Sequence, residues 1–266
     1  MLQRLRLLFI LVTTLGWLLG QPLHAQPYAN AIKKSMSASQ TAACNPQLFS
    51  KMKHQLADWP DLAHYQKANA ALPPATAGQP RVVFMGDSIT DIWGRLPWTG
   101  SFFPGKPYIN RGISGQTTPQ MLLRFRQDVI DLHPAAVLIL AGTNDVAENT
   151  GPESDATIED NYQSMAELAT YHHIRVLFAS ITPAAAYPWH PGIDPVARIR
   201  TLNDWLRLYC QEHHFVYIDY YDAMALPNGA MKAGISVDGV HPNAKGFAIM
   251  TPLAEAGIRS ALAEKD

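Results

Sequence analysis

Two segments far apart in the chain carry side chains suited to nucleophilic catalysis. The first is Gly86-Asp87-Ser88, directly after an apolar run, and the second is Asp238-Gly239-Val240-His241 near the C-terminus. A serine hydroxyl needs a base at neutral pH, and a histidine bonded to a carboxylate through its second ring nitrogen is such a base. Taken separately, each segment is also typical of a helix cap, with a surface histidine in the second. Either one alone is therefore weak support for a catalytic site.

Acyl transfer also requires hydrogen-bond donors aimed at the oxyanion of the tetrahedral intermediate. Two further segments offer donors, namely the glycine-rich Asn110–Thr117, with its backbone N–H groups, and Ala141–Asp145, with the side-chain amide of Asn144. Glycine and asparagine are equally common in turns, which is the alternative for each segment. Because all four segments follow predicted strands or lie in a loop on one side of a predicted sheet, together they favour an enzyme.

The elements that must position these residues follow from the hydrophobic pattern. Short apolar or β-branched runs alternate with amphipathic stretches, which predicts a parallel sheet covered by helices on both faces. Ligand sites in such sheets lie beyond the carboxyl ends of the strands. One predicted helix is Pro119 to Leu132, with Thr118 at its N-cap, and another is Ala244 to Ala263. The five predicted strands are residues 81–85, 108–109, 135–140, 174–180 and 215–218.

From about Arg81 to the C-terminus, the four segments resemble the motifs of the SGNH or GDSL hydrolases, although Ile89 stands where the usual motif has leucine. The resemblance implies an α/β class, flavodoxin-like three-layer α/β/α sandwich with a five-stranded parallel sheet and neither a metal nor an organic cofactor. No Gly-x-Ser-x-Gly sequence occurs, which argues against the α/β-hydrolase nucleophile elbow. The implied site consists of a triad of Ser88, His241 and Asp238 and an oxyanion hole of Ser88, Gly115 and Asn144.

The first residues have the order of a secretory signal peptide. Arg4 and Arg6 precede an apolar stretch from Leu7 to about Leu19, and small residues lead to a cleavage site after Ala25. A retained membrane anchor is the alternative, but the stretch is shorter than the ~20 residues that span a bilayer. No cysteine directly follows the stretch to accept a lipid. We therefore expect a periplasmic or secreted protein with no stable membrane insertion after the signal is removed.

The remaining sequence predicts one catalytic domain. Residues 1–25 are the predicted signal peptide, 26–79 an N-terminal flank with a helix, and 80–266 the hydrolase domain. The formal net charge is −1 at pH 7, without long lysine or arginine runs, which argues against a nucleic acid partner. Cys44 and Cys210 either form a disulfide in an oxidising compartment or remain two buried thiols.

Other residues that attract attention have simpler interpretations. The pairs His172-His173 and His213-His214 lie where helices end and strands begin, which favours interaction with helix C-termini over metal binding. Trp189 follows a strand and is the aromatic residue expected to contact substrate. A group of aromatic residues after the first predicted strand is expected to pack at the edge of the domain. It consists of Trp93, Trp98, Phe102 and Phe103.

The predicted reaction is hydrolysis of an acyl ester through an acyl-enzyme, with a small-molecule or glycan ester as substrate. A short-chain ester such as an O-acetylated carbohydrate is the first expectation. A lysophospholipase or thioesterase, an acyltransferase and a silent carbohydrate-binding module are the alternatives. The sequence does not determine the native acyl and alcohol groups or the oligomeric state.

Overall fold

A computed structural model of the chain describes residues 46–76 and 78–263. The predicted signal peptide and Cys44 lie outside these residues. The strands are β1 (Val82–Gly86), β2 (Tyr108–Gly112), β3 (Ala136–Leu140), β4 (Arg175–Ala179) and β5 (Val216–Ile218). The α-helices are α1 (Pro46–Ala57), α2 (Gln66–Ala70), α3 (Ser88–Ile92), α4 (Thr118–Asp128), α5 (Thr143–Val146), α6 (Asp155–Tyr171), α7 (Val196–Glu212), α8 (Tyr220–Met224) and α9 (Ala244–Ala263). Single 3₁₀ turns occupy Pro97–Thr99 and Ile130–Leu132.

The five strands form one parallel sheet in the order β2-β1-β3-β4-β5. This is the flavodoxin-like order. The chain runs from β1 outward to β2 and then crosses back past β1 to β3, so the direction of winding reverses between β1 and β3. In the register, Gly86 at the end of β1 pairs with Gly112 of β2 on one side and Leu140 of β3 on the other. The predicted fold class and all five predicted strands are confirmed.

Alternate strand residues build two apolar layers, one on each face of the sheet. Val83 and Met85 belong to the layer that includes α4, α6 and α7. Val82 and Phe84 belong to the layer that includes α3, α8 and α9. The central strands are buried on both faces, which explains why they read as nearly continuous apolar runs.

Most of the aromatic group after β1 packs inside the domain. Phe84 makes edge or tilted contacts with Trp93, Phe102 and Phe103. The Trp93 ring also stacks on Phe247 of α9, with the ring centroids 4.7 Å apart. These contacts attach the C-terminal helix to the segment that follows the first strand.

The segment from residue 58 to 72 hydrogen-bonds to β2 and α4. The Asn69 side chain donates to Asp128 at 2.7 Å and accepts from Arg111 at 2.8 Å. The Tyr65 hydroxyl donates to the carbonyl of Gly112.

The predicted division of the chain at residue 79 remains a prediction. Among the described residues, no helix has both the length and the apolar character needed to cross a bilayer.

The beginning of α4 differs by one residue from the sequence prediction. Thr117, not Thr118, is the N-cap, and its backbone N–H donates to the Gln120 side chain at 3.1 Å. Thr118 instead donates from its backbone and its hydroxyl to Asp145 of α5, at 2.9 and 2.6 Å. The buried Asp145 carboxylate therefore ties the start of α4 to the turn that follows β3. Burial raises its pKa to about 7, although the bonds from Thr118 oppose the shift.

We predict that Asp145→Asn flattens the dependence of thermal stability on pH. Because its pKa is raised, native Asp145 binds more protons than the unfolded chain between about pH 4 and about pH 7, so its contribution to stability is lost as the pH rises through this window. Asparagine does not titrate there and still accepts from Thr118. The melting temperature of the variant should fall by several degrees less than that of the wild type across the window.

The matched control is Asp204→Asn on the exposed face of α7. This variant should follow the wild-type profile. Parallel profiles for wild type and Asp145→Asn would contradict a raised pKa at the buried carboxyl.

Candidate active site

Ser88 is the first residue of α3 and directly follows the tight turn after β1. The N-cap of α3 is Asp87, whose carboxylate accepts from the Ile89 N–H at 2.9 Å, so the Ser88 hydroxyl is available for other partners. Gly86 permits this turn because a Cβ there would lie 2.1 Å from the Thr90 hydroxyl oxygen. Burial raises the pKa of Asp87 to about 6. The turn therefore places the serine at the sheet edge, above a buried carboxyl group.

The three predicted triad residues are joined by hydrogen bonds. Ser88 Oγ lies 2.9 Å from His241 Nε2, and His241 Nδ1 lies 2.7 Å from Asp238 Oδ2. The other carboxylate oxygen of Asp238 accepts from the N–H groups of Val240 at 3.0 Å and His241 at 2.7 Å. Partial burial alone would raise the pKa of Asp238, but the bonds from His241 and Val240 outweigh it and lower the pKa. An ionised Asp238 holds the proton of the neutral imidazole on Nδ1 and leaves Nε2 to accept from Ser88.

A closed loop presents Asp238 and His241 together. Its ends meet through a bridge between Ser236 and Pro242, and the Gly239 N–H donates to the Ser236 hydroxyl at 2.7 Å. Gly239 has a φ of +88°, which glycine adopts without steric cost. The local hydrogen bonds explain how a spacing of three residues can orient a carboxylate and an imidazole toward each other.

The two predicted oxyanion segments come together beside Ser88. The Asn144 amide donates from Nδ2 to the carbonyl of Gln116 at 3.0 Å, which joins the turn after β3 to the turn after β2. Gly115 lies in the latter turn with a φ of +83°. A side-chain amide carries two donor hydrogens, so the second Asn144 hydrogen is left for another acceptor. Donors from both turns are thus available close to the serine.

These residues line one open cleft of about 440 Å³. Trp189 lies in its wall, 41% exposed, with its ring centroid 5.7 Å from that of His241. Trp98 also lines the cleft and is 40% exposed, so the expectation that it packs the domain edge is wrong. The lining consists of Ser88, Ile92, Trp98, Ser114, Gly115, Asn144, Asn149, Trp189, Val237, Asp238 and His241.

Sequence reasoning missed Trp98 and Asn149. Both lie in or beside single turns, where no periodic pattern marks the direction of a side chain. Asn149 follows the short helix α5 by three residues, and this proximity to Asn144 is the one available signal.

The histidine pairs lie away from the cleft at the ends of α6 and α7, and no described cluster of three or more His, Cys, Asp or Glu side chains could hold a metal ion. Cys210 is buried in the core, and burial raises its pKa to about 12.

A family model described as the GDSL-like lipase/acylhydrolase family matches residues 84–249, which is more than half of the chain. The chain is similar to a Bacteroides fragilis structure assigned as an acylhydrolase, at 42% identity and a TM-score of 0.74 over 77% of this chain and 99% of that one. It is also similar to a GDSL-like lipase from Bacteroides thetaiotaomicron, at 43% identity and a TM-score of 0.73, over 76% and 98% of the two chains.

Two more distant similarities support more limited conclusions. An acetylxylan esterase from Geobacillus stearothermophilus, 21% identical with a TM-score of 0.53 over 67% of this chain and 94% of its own, shares the fold alone. An uncharacterised lipoprotein of Bacillus subtilis is 35% identical over 78 residues, or 28% of this chain and 32% of that protein. This chain therefore matches about a third of the length of that curated relative.

We predict that Asp238→Asn abolishes the downfield proton signal of the imidazole. A proton on Nδ1 shared with a carboxylate is deshielded, and an amide in its place removes the charge that assists the bond. In proton NMR spectra of the wild type we expect a resonance far downfield of the backbone amides, which the variant should lack.

Asp61→Asn is the matched control, because Asp61 and His64 have the same sequence spacing as Asp238 and His241. On the surface, Asp61 Oδ2 lies 3.0 Å from His64 Nδ1. That variant should keep the resonance. A downfield signal that survives in Asp238→Asn but disappears in Asp61→Asn would contradict the assignment.

Proposed function

The chain belongs to the GDSL-like lipase/acylhydrolase family, and on this premise we propose that it is an exported serine ester hydrolase with Ser88, His241 and Asp238 as its triad. Family membership confirms the enzyme class expected from the sequence, a carboxylic ester hydrolase. The observation that carries the proposed triad is the pair of hydrogen bonds that links the hydroxyl, the imidazole and the carboxylate, at 2.9 and 2.7 Å.

The proposed reaction has two steps. His241 removes the proton from Ser88 as the hydroxyl oxygen attacks the ester carbonyl, and the imidazolium then donates that proton to the departing alcohol. In the second step His241 takes a proton from water, which attacks the acyl-enzyme, and returns it to Ser88 as the acid leaves. Asp238 stabilises the imidazolium in both steps, and the lowered pKa of its carboxyl group suits that role.

The proposed oxyanion hole consists of the backbone N–H groups of Ser88 and Gly115 and the Asn144 amide. All three residues line the cleft that holds His241. Each preorganised donor in such a hole is worth on the order of 3 kcal/mol of the barrier. The positive φ of Gly115 supports its role, since this backbone conformation turns the N–H in a direction that other residues rarely allow.

The proposed substrate is a short-chain, O-acetylated carbohydrate ester. The cleft is open rather than tunnel-like, and Trp98 and Trp189 present partly exposed rings to it. Tryptophan faces pack well on the apolar faces of sugar rings. The shared fold of the acetylxylan esterase is compatible with this choice but does not decide it.

A lipid ester is the second candidate. Ile92 and Val237 give the cleft an apolar side, and a relative at 43% identity is described as a GDSL-like lipase.

The proposed export to the periplasm or the medium rests on the order of charged, apolar and small residues in the segment that ends at Ala25.

We predict that the mature protein hydrolyses nitrophenyl esters and that Ser88→Ala reduces kcat by more than about 1,000-fold, because the nucleophile is lost. The series from acetate to decanoate decides the substrate class: the highest kcat/KM at acetate supports the carbohydrate ester, and the highest at decanoate supports the lipid ester. Ser101→Ala is the control and should retain full activity. Inactivity of the wild type together with failure to react with a fluorophosphonate would contradict the proposed function.

We predict that Gly115→Ala lowers kcat by about tenfold or more, since an alanine at this positive φ strains the turn and moves the donor N–H away from the oxyanion. Gly105 provides a matched control, because it also has a positive φ, and a Cβ would meet no atom within 4 Å at either position. Gly105→Ala should carry the same local strain without loss of kcat. Equal kcat values for the two variants would exclude the Gly115 N–H from the oxyanion hole.

A further inference from the structure

Asn149 connects three parts of the cleft through its side chain. Its Nδ2 donates to Asn144 Oδ1 at 2.7 Å and, more weakly, to the Gly115 carbonyl at 3.4 Å. Its Oδ1 accepts from the indole N–H of Trp189 at 2.9 Å. The Asn149 backbone N–H also donates to the Asn144 carbonyl at 3.0 Å, so the residue is anchored next to the amide that it contacts.

The chemistry of the two ends gives this series of bonds a single direction. An indole N–H only donates, and a backbone carbonyl only accepts. Trp189 therefore requires the oxygen of Asn149 on its side, which turns the Asn149 nitrogen toward Asn144. Asn144 must then present its oxygen to Asn149 and its nitrogen to the Gln116 carbonyl. Both amides are fixed in orientation from both ends.

A reversal of the Asn144 amide would be costly. Its oxygen would then face the carbonyl oxygen of Gln116, and its nitrogen would face the nitrogen of Asn149. Two acceptors and two donors would lie opposite each other, and Asn144 is only 2% exposed, so water cannot readily replace the lost bonds. The reversed orientation would put the acceptor oxygen of Asn144 on the side where the observed orientation has its remaining N–H.

We propose that Asn149 is a positioning residue that fixes the Asn144 amide as an oxyanion donor and links that donor to Trp189 in the cleft wall. This inference rests on the proposed function, because it assigns Asn149 a part in the same oxyanion hole. Asn149 acts through Asn144 and does not itself contact the reacting atoms. Contact of a substrate with Trp189 is thereby coupled to the geometry of the oxyanion hole.

The test is Asn149→Asp, which keeps the size of the side chain but replaces its donor with an acceptor. The carboxylate should turn the Asn144 amide around, which removes a donor needed in the transition state more than in the ground state. We expect kcat for nitrophenyl acetate to fall about tenfold or more while KM changes less than about twofold. The affinity for a trifluoromethyl ketone, whose serine adduct carries an oxyanion, should fall by a factor similar to that of kcat/KM.

Two controls separate orientation from charge. Asn228→Asp introduces the same charge at an exposed site, where it should leave kcat unchanged. A through-space effect of the new carboxylate would weaken at high salt, whereas a reversed amide would not, so the loss of kcat should be equal at low and high ionic strength. Trp189→Phe should lower kcat in the wild type but add nothing to the loss in Asn149→Asp. In that variant the Asn144 amide is already reversed, so the bond from Trp189 no longer helps to orient it.

The inference is overturned if kcat of Asn149→Asp stays within about twofold of the wild type, or if the loss disappears at high salt. A rise in KM with an intact kcat would also overturn it, since that result identifies a direct substrate contact instead. These outcomes require an active wild type. An inactive wild type would instead reject the proposed function, on which the inference depends.

Discussion

The register of the three central strands is the constraint on which the site depends. Gly86, Gly112 and Leu140 pair side by side at the carboxyl ends of β1, β2 and β3. Neighbouring strands in a sheet lie about 4.8 Å apart, so the three following turns start within about 10 Å of one another. Ser88, Gly115 and Asn144 lie two, three and four residues beyond these positions. The proposed nucleophile and the proposed oxyanion donors therefore converge because the strands are in register.

The buried guanidinium of Arg124 supports that edge of the sheet. It donates to the carbonyls of Gly86 at 3.0 Å and Arg111 at 2.8 Å, where the ladder of β1 and β2 ends, and to the Gln116 side chain at 2.5 Å. Burial lowers the pKa of Arg124, and the Asp128 carboxylate at 3.1 Å opposes that shift. A buried charge without such partners would cost several kcal/mol. Here it satisfies strand-end carbonyls, and its bond to Gln116 holds the turn on which Asn144 rests.

The sequence was sufficient to predict the strands and the proposed catalytic segments, because buried parallel strands are continuous apolar runs and the chemistry follows their ends. It was not sufficient to place single residues within turns. Thr117 and Thr118 are both suitable N-cap residues, and Thr117 takes the role because it bonds to Gln120 while Thr118 is held by the distant Asp145. Asp-x-x-His spacing occurs at Asp61 as well as at Asp238, and tertiary structure alone brings one of the two histidines to a serine. Trp98 and Asn149 were missed for the same reason, since each owes its place in the cleft to neighbours distant in sequence.

The two halves of the site are held by different kinds of interaction. The proposed oxyanion half is built from turns that follow the strands and are hydrogen-bonded to one another. The half that contains His241 is a loop stabilised by its own hydrogen bonds. Its Val240 side chain is 1% exposed and packs in the core, and α9, which follows the loop, stacks Phe247 on Trp93. Apolar packing is less directional than hydrogen bonding, yet a close-packed interior tolerates little displacement. The distance from Ser88 to His241 therefore depends on how the C-terminal helix packs on the sheet as well as on the bonds of the loop itself.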